Sequence, residues 1–382
     1  LVNVALFFAR KMQGHKQYKN TVSARIINIA TLAVCLGISA ILIAMSTSKG
    51  LQTEIQNKTS VFNGHILITL FENNESQVSV LPFEDADSVR QKIRENKNIK
   101  RFHSIALKPG MLKNKSHFEG VVFKGVSSNF DWSSLDTFLT EGRFPDLSNR
   151  ISKEILISET LARQLDLKVG DQTDSFFQNL SINGLPKKRR FTISGIYFSG
   201  FPDIDQTLLF GDLRQIQKLN LWEENMIGGY ELFVKNFSLI QNTTDNIYND
   251  IPSELNSIPI FDRFPSIFQW ISLFDFNVLI ILIIMILVGV TNMATALLVL
   301  ILERSRMVGL LKAVGAKNKL IQKIFLYNGA VIMSKGLLFG NLIGLGFYFS
   351  QSFFGWIQLD PSTYFVSKAP VSISGLEVLS VN

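Results

Sequence analysis

The sequence predicts an α-helical membrane protein with a large mixed α+β extracytoplasmic domain, and three observations carry that prediction. Of its 382 residues 47% are hydrophobic and only 18% charged, so long apolar runs are required. Two runs hold no charged residue, Ile26–Met45 over twenty residues and Phe276–Leu302 over twenty-seven, and the hydrocarbon core of a bilayer takes about 20 helical residues to cross. The net charge of +7 is concentrated in two blocks beside those runs. Residues 1–25 carry +5 (Arg10, Lys11, Lys16, Lys19, Arg25), residues 303–325 carry +5, and the long stretch between them carries −3. Nucleic-acid binding is thereby excluded, because it needs a basic face on a folded domain. The single cysteine, Cys35, excludes an internal disulfide framework and any multi-cysteine metal site.

The amino-terminal block 1–25 reads as a basic cytoplasmic leader. Val4, Ala5, Phe8 and Met12 share one helical face, which suggests an interfacial helix lying flat on the membrane. The first span is placed at 26–48. Its apolar stretch exceeds the h-region of a signal peptide, so it reads as a retained anchor, and Cys35 within it reads as a small packing residue. Lys and Arg concentrate in cytoplasmic loops, so both basic blocks belong inside and residues 49–272 form an extracytoplasmic domain.

That domain reads as short strands alternating with helices. Strand-like runs occur at Gly64–Leu70, Val121–Lys124, Glu154–Ile157, Phe191–Phe198, Thr207–Phe210 and Glu231–Val234. Phe83, Ala86, Val89 and Ile93 keep a helical spacing, and Leu161 with Leu165 does so behind a cap at Ser158. The stretch Gln178–Arg190, with Asn183-Gly184 and four consecutive bases, predicts a protruding hairpin or loop. Asp203 and Asp205, around an isoleucine and after a proline, read as a solvated turn.

A second span follows at 273–302, where Asn292 and Thr295 lie one turn apart and are placed to hydrogen-bond across helices. The block 303–323 contains a short amphipathic helix. Met307, Leu310, Leu311 and Val314 fall at i, i+3, i+4 and i+7 beside Arg304, Arg306 and Lys312, and Gly315 is positioned to end it. Its apolar stripe can lie against lipid headgroups or enter a groove of a cytoplasmic partner. The third span, 324–350, is interrupted by Lys335, read as snorkelling to the headgroups or facing a partner helix. Gly336, Gly340 and Gly344 recur every four residues there, a small-residue face that predicts close approach of another helix. Residues 351–382 return outside.

Enzyme signatures fail. Gly309–Lys317 has five residues between its glycines and an alanine before the lysine, so it is no phosphate loop. No G-x-S-x-G elbow or H-E-x-x-H pair exists, and His15, His65, His103 and His117 are scattered. The chain is expected to be a non-catalytic subunit.

Four segments carry a family resemblance. FFARKMQGHKQYKN with the following span and first strand, ILISETLARQLDLKVGDQ, FTISGIYFSGFPDIDQTLLF and ERSRMVGLLKAVGA together resemble the permease subunits of the MacB/FtsX-like (type VII) class of ABC transporters, and within it the Lol-type lipoprotein-releasing permeases. The resemblance implies a homo- or heterodimeric permease in the cell inner membrane whose halves each meet a LolD-like ABC ATPase subunit. That partner binds ATP and magnesium, and this chain binds no cofactor. The coupling helix would comprise Glu303, Arg304, Met307, Val308, Leu310, Leu311, Lys312, Val314 and Gly315. ATP-driven closure would release lipoproteins toward a periplasmic carrier, captured by a hook for which Gln178, Leu180, Ile182, Gly184, Leu185 and Pro186 are the candidates. A MacB-like exporter of peptides or small molecules and an FtsX-like regulator of cell-wall hydrolases are the alternatives. Met307 stands where the family often has an acid, and Lys335 where small or apolar residues are usual. The family has a fourth span and a cytoplasmic tail, whereas this sequence begins at Leu1 and stops at Asn382. A truncated chain, its fourth transmembrane helix missing, is therefore expected.

Overall fold

In the computed structural model, which describes residues 22–73, 78–115, 117–148, 150–178, 185–364 and 366–382, the first apolar run lies within one continuous helix. This helix, α1 (Val22–Asn63), continues fifteen residues past the boundary expected at 48. The flat amino-terminal helix falls almost wholly outside the described residues, and residues 22–25 are the first turn of α1. After Gly64 come β1 (Ile66–Leu70), β2 (Phe83–Glu84), α2 (Asp87–Glu95), β3 (Ile99–Asn114), β4 (His117–Val126), β5 (Leu139–Gly142), β6 (Glu154–Ser158) and α3 (Glu159–Gln164). Next are β7 (Gln172–Phe177), β8 (Lys187–Tyr197), α4 (Pro202–Thr207), β9 (Leu208–Asp212), α5 (Leu213–Asn220), β10 (Met226–Ile227), β11 (Gly229–Val234), α6 (Ile240–Asp250), β12 (Leu255–Pro259) and α7 (Ile260–Arg263). The chain then runs through α8 (Pro265–Glu303), α9 (Ser305–Ala313), α10 (Asn318–Phe354), α11 (Pro361–Tyr364) and α12 (Gly375–Val381).

These elements form two units. One comprises residues 55–268 and 360–367, the other residues up to 54, 269–359 and 368–382. In the first unit the strands follow the order β12-β1-β11-β3-β4-β9-β6-β8-β5, while β7 pairs with both β3 and β8. The strands β3, β4, β9, β6, β8 and β7 therefore close into a ring, from which β11-β1-β12 and β5 branch. Aromatic and branched residues fill it, including Phe123, Phe177 and Phe191, whose rings meet at 5.3–6.3 Å.

Helix α3 starts at the expected cap: the Ser158 hydroxyl accepts from the Leu161 N–H at 3.0 Å. Helix α2 begins later than the spacing suggested, because Phe83 joins β2 and Ala86 is only the residue before the helix. Asp205 departs from the solvated-turn reading. It is 3% exposed and accepts from the N–H groups of Ser199 and Gly200 at 3.0 Å, so it organises the turn from inside. Burial raises its carboxyl above the usual range, against the pull of those bonds.

Three helices among the described residues, mostly within the second unit, are long and apolar enough to cross a membrane: Ile27–Asn63, Pro265–Glu303 and Asn318–Phe354. Ala30, Ala296 and Ile332 pack at the common contact of α1, α8 and α10. After α10 the chain folds back onto α1, where the Ser372 N–H donates to the Ser46 carbonyl at 2.9 Å. Helix α12 opens with a capping box formed by Ser374 and Glu377.

Candidate functional site

The 303–315 segment folds as a break and a short helix. Glu303 closes α8, Arg304 is non-helical, and α9 runs for nine residues. Its end is sharp: the N–H groups of Val314, Gly315 and Ala316 donate to the carbonyls of Leu310, Lys312 and Leu311 at 2.9–3.1 Å. Gly315 has φ +90°, in the region that only glycine enters cheaply. Lys312 lies in the last turn, where a cation complements the helix dipole. The apolar stripe is split. Met307, Val308 and Leu311 are half-buried, whereas Leu310 is 70% and Val314 89% exposed. The result is a short basic element offering two uncovered aliphatic side chains.

The three glycines of α10 lie against α1. A Cβ at Gly336 would sit 2.7 Å from Val34 Cβ, one at Gly340 2.8 Å from the Cys35 carbonyl oxygen, and one at Gly344 2.8 Å from Leu42 Cβ. The helix they face is thus α1 of the same chain. Lys335, beside them, is exposed. Thr295 does not reach another helix, since its hydroxyl donates to the Thr291 carbonyl one turn back at 2.9 Å. A polar link between helices occurs elsewhere: Gln52 Nε2 donates to Asp275 Oδ1 at 2.8 Å.

Part of the predicted protruding stretch is strand. Lys187–Arg190 belong to β8 and pair with Asp174–Phe177 of β7, which leaves Gln178–Pro186 as the connection. Gln178, Leu185 and Pro186 are exposed, Leu185 at 86%, while Leu180, Ile182 and Gly184 lie outside the described residues. Ile151, Lys153, Lys188, Arg189, Arg190, Gln215 and Lys218 line a cleft of about 470 Å³. Asp174 binds Lys188 at 2.7 Å and Arg190 at 2.9 Å. These bonds, that of Arg190 first, hold the Asp174 carboxyl below its ordinary range.

The sequence reading missed a buried charge cluster. Lys124 on β4 and Glu231 on β11 are each 1% exposed and form an ion pair at 2.6 Å. The available signal was a charge inside an otherwise apolar strand, Val121–Val126 or Gly229–Val234, where alternation turns one residue in two toward a core. Of the scattered histidines, His103 is buried and His65 half-buried. His65 and His103 are both lowered to about 4, chiefly by burial and secondly by the Arg101 charge.

The chain belongs to the FtsX/MacB family of ABC-transporter permeases: the MacB-like periplasmic core domain matches residues 29–235, and the FtsX-like permease C-terminal domain matches residues 279–380. Among curated relatives, the lipoprotein-releasing system transmembrane protein LolE of Haemophilus influenzae is 23% identical over 100% of this chain and 92% of its own length. LolC of the same organism is 20% identical over 84% of this chain and 78% of its own. The periplasmic region of MacB from Actinobacillus actinomycetemcomitans is 11% identical, covers 53% of this chain and 91% of that one, and superposes with a TM-score of 0.36.

Proposed function

We propose that this chain is an inner-membrane, multi-pass permease subunit that releases lipoproteins toward a periplasmic carrier, driven by ATP hydrolysis in a partner ABC ATPase. The observation that carries this reading is the full-length similarity to permeases named for lipoprotein release, with α9 in place as an uncovered apolar knob. The ATPase binds ATP and magnesium. Leu310 and Val314 enter a groove on it, and Arg304 and Lys312 meet its surface. A second permease copy or homologue completes the assembly. The basic cleft lined by Lys188, Arg189 and Arg190, which closely follow Gln178–Pro186 in the chain, supports carrier capture, because clustered Lys and Arg attract an acidic partner face and speed its encounter.

Leu310→Asp tests the ATPase contact. Its side chain is exposed, so the chain should still insert and fold, while permease-stimulated ATP turnover falls at least tenfold in the reconstituted complex. Turnover within twofold of the parent would refute the contact. Depletion in cells should leave acylated lipoproteins in the inner membrane. Normal sorting after depletion would favour a MacB-like exporter or a regulator of cell-wall hydrolases instead.

A further inference from the structure

The end of α1 is held by two cations from different parts of the chain. Phe62 and Asn63 are the last helical residues, so their carbonyls have no donor within the helix. Gly64, with φ +68°, turns the chain away and donates its N–H to the Ser60 carbonyl at 2.8 Å. Lys124 Nζ donates to the Phe62 carbonyl at 2.7 Å, and Arg263 Nη1 donates to the Asn63 carbonyl at 2.7 Å. Both cations sit at the negative end of the helix dipole. Lys124 also donates to Glu231 Oε1 at 2.7 Å and Oε2 at 2.6 Å, so its remaining hydrogen-bonding capacity is absorbed across β3. The ring of Phe62 is set among Phe138, Tyr197 and Phe210 at centroid distances of 5.1–6.2 Å. Arg263 closes α7, two residues before α8 begins.

A buried ion pair adds little stability over apolar residues of the same size, and what it supplies is geometry. Here the geometry joins four elements: the last turn of the helix containing the first apolar run, the lead-in to the helix containing the second, and the strands β4 and β11 of the core. We propose that Lys124, Glu231 and Arg263 are positioning residues that form a rigid junction, through which displacement of α1 and α8 becomes displacement of the extracytoplasmic sheet. This inference rests on the transport reading above, and it assigns to that reading the residues that carry motion into the outer domain.

The experiment uses the full-length permease reconstituted with its ATPase, comparing the parent with Lys124→Met/Glu231→Leu and with Arg263→Gln. Amide hydrogen exchange over residues 60–66 should quicken at least tenfold in the double variant and at least threefold in Arg263→Gln, with β3 and β4 unchanged. ATP turnover should stay within twofold while lipoprotein release per ATP falls by the same factors. Unaltered exchange at the helix end, or faster exchange with release per ATP preserved, would overturn the junction. Arg263 is only partly buried, so Arg263→Gln decides the matter if the double variant does not fold. A parent complex that releases no lipoprotein would sink the transport reading alone, and the exchange measurement would still judge whether the three residues fasten the helix end.

Discussion

Lys124 and Glu231 show how a charge inside an apolar strand is sustained. Removal of one partner leaves the other buried and unpaired, which costs about 3–5 kcal/mol. Glu231→Leu should therefore lower the unfolding free energy by about that amount, whereas Lys124→Met/Glu231→Leu should recover most of the loss; denaturant midpoints in detergent read both. His65 and His103 carry a pH dependence. His65 Nδ1 accepts from the Val234 N–H at 3.0 Å, and neither ring nitrogen of His103 has a hydrogen-bond partner among the described residues. Both are neutral in the folded chain down to about pH 4. Above about pH 6.5 they are neutral in the unfolded chain too and stability does not change with their titration. Between 6.5 and 4 the unfolded chain takes up protons that the folded chain refuses, so stability falls with falling pH, by up to about 3 kcal/mol per histidine. His103→Phe, whose ring would lie between Phe130 and Phe233, should remove roughly half of that slope. An unchanged slope between pH 6.5 and 4.5 would refute the assignment.

At the level of elements, β3 has no counterpart among the strand-like runs of the sequence. Its sequence IKRFHSIALKPGMLKN contains Pro109-Gly110, a pair that signals a turn, and yet it is a sixteen-residue strand. The glycine is required because a Cβ at 110 would lie 2.7 Å from the Phe177 ring of β7, the contact that closes the ring of strands. That reason is tertiary, so no local pattern announces it. The glycine face of α10 was legible as a close-packing surface, because small residues every four positions align on a helix, but its partner was not. Gly340→Leu should force α10 away from α1 and destabilise the helical unit by about 1–3 kcal/mol. Gly346→Leu, on the same helix with open space beside it, should stay within about 0.5 kcal/mol. Thermal midpoints in detergent compare the two, and equal shifts would contradict the packing.

For the whole molecule, the charge distribution predicts which segments share a side of the membrane. A membrane-impermeant maleimide should label Tyr248→Cys in intact spheroplasts and Leu310→Cys only after permeabilisation. The reverse pattern would invert the topology. Tyr248 is 49% exposed and Leu310 70%, while the native Cys35 is buried and should stay silent.

The three apolar helices, the basic segment around α9 and the mixed α+β character of residues 55–268 were present in the sequence, because hydropathy, charge and short periodicities are properties of neighbouring residues. The continuation of α1 to Asn63, the closure of six strands into a ring, the interior place of Asp205 and the meeting of Lys124, Glu231 and Arg263 at one helix end emerged only in three dimensions. Each depends on residues distant along the chain, whose mutual burial decides where a carbonyl finds its donor and a charge its counter-charge.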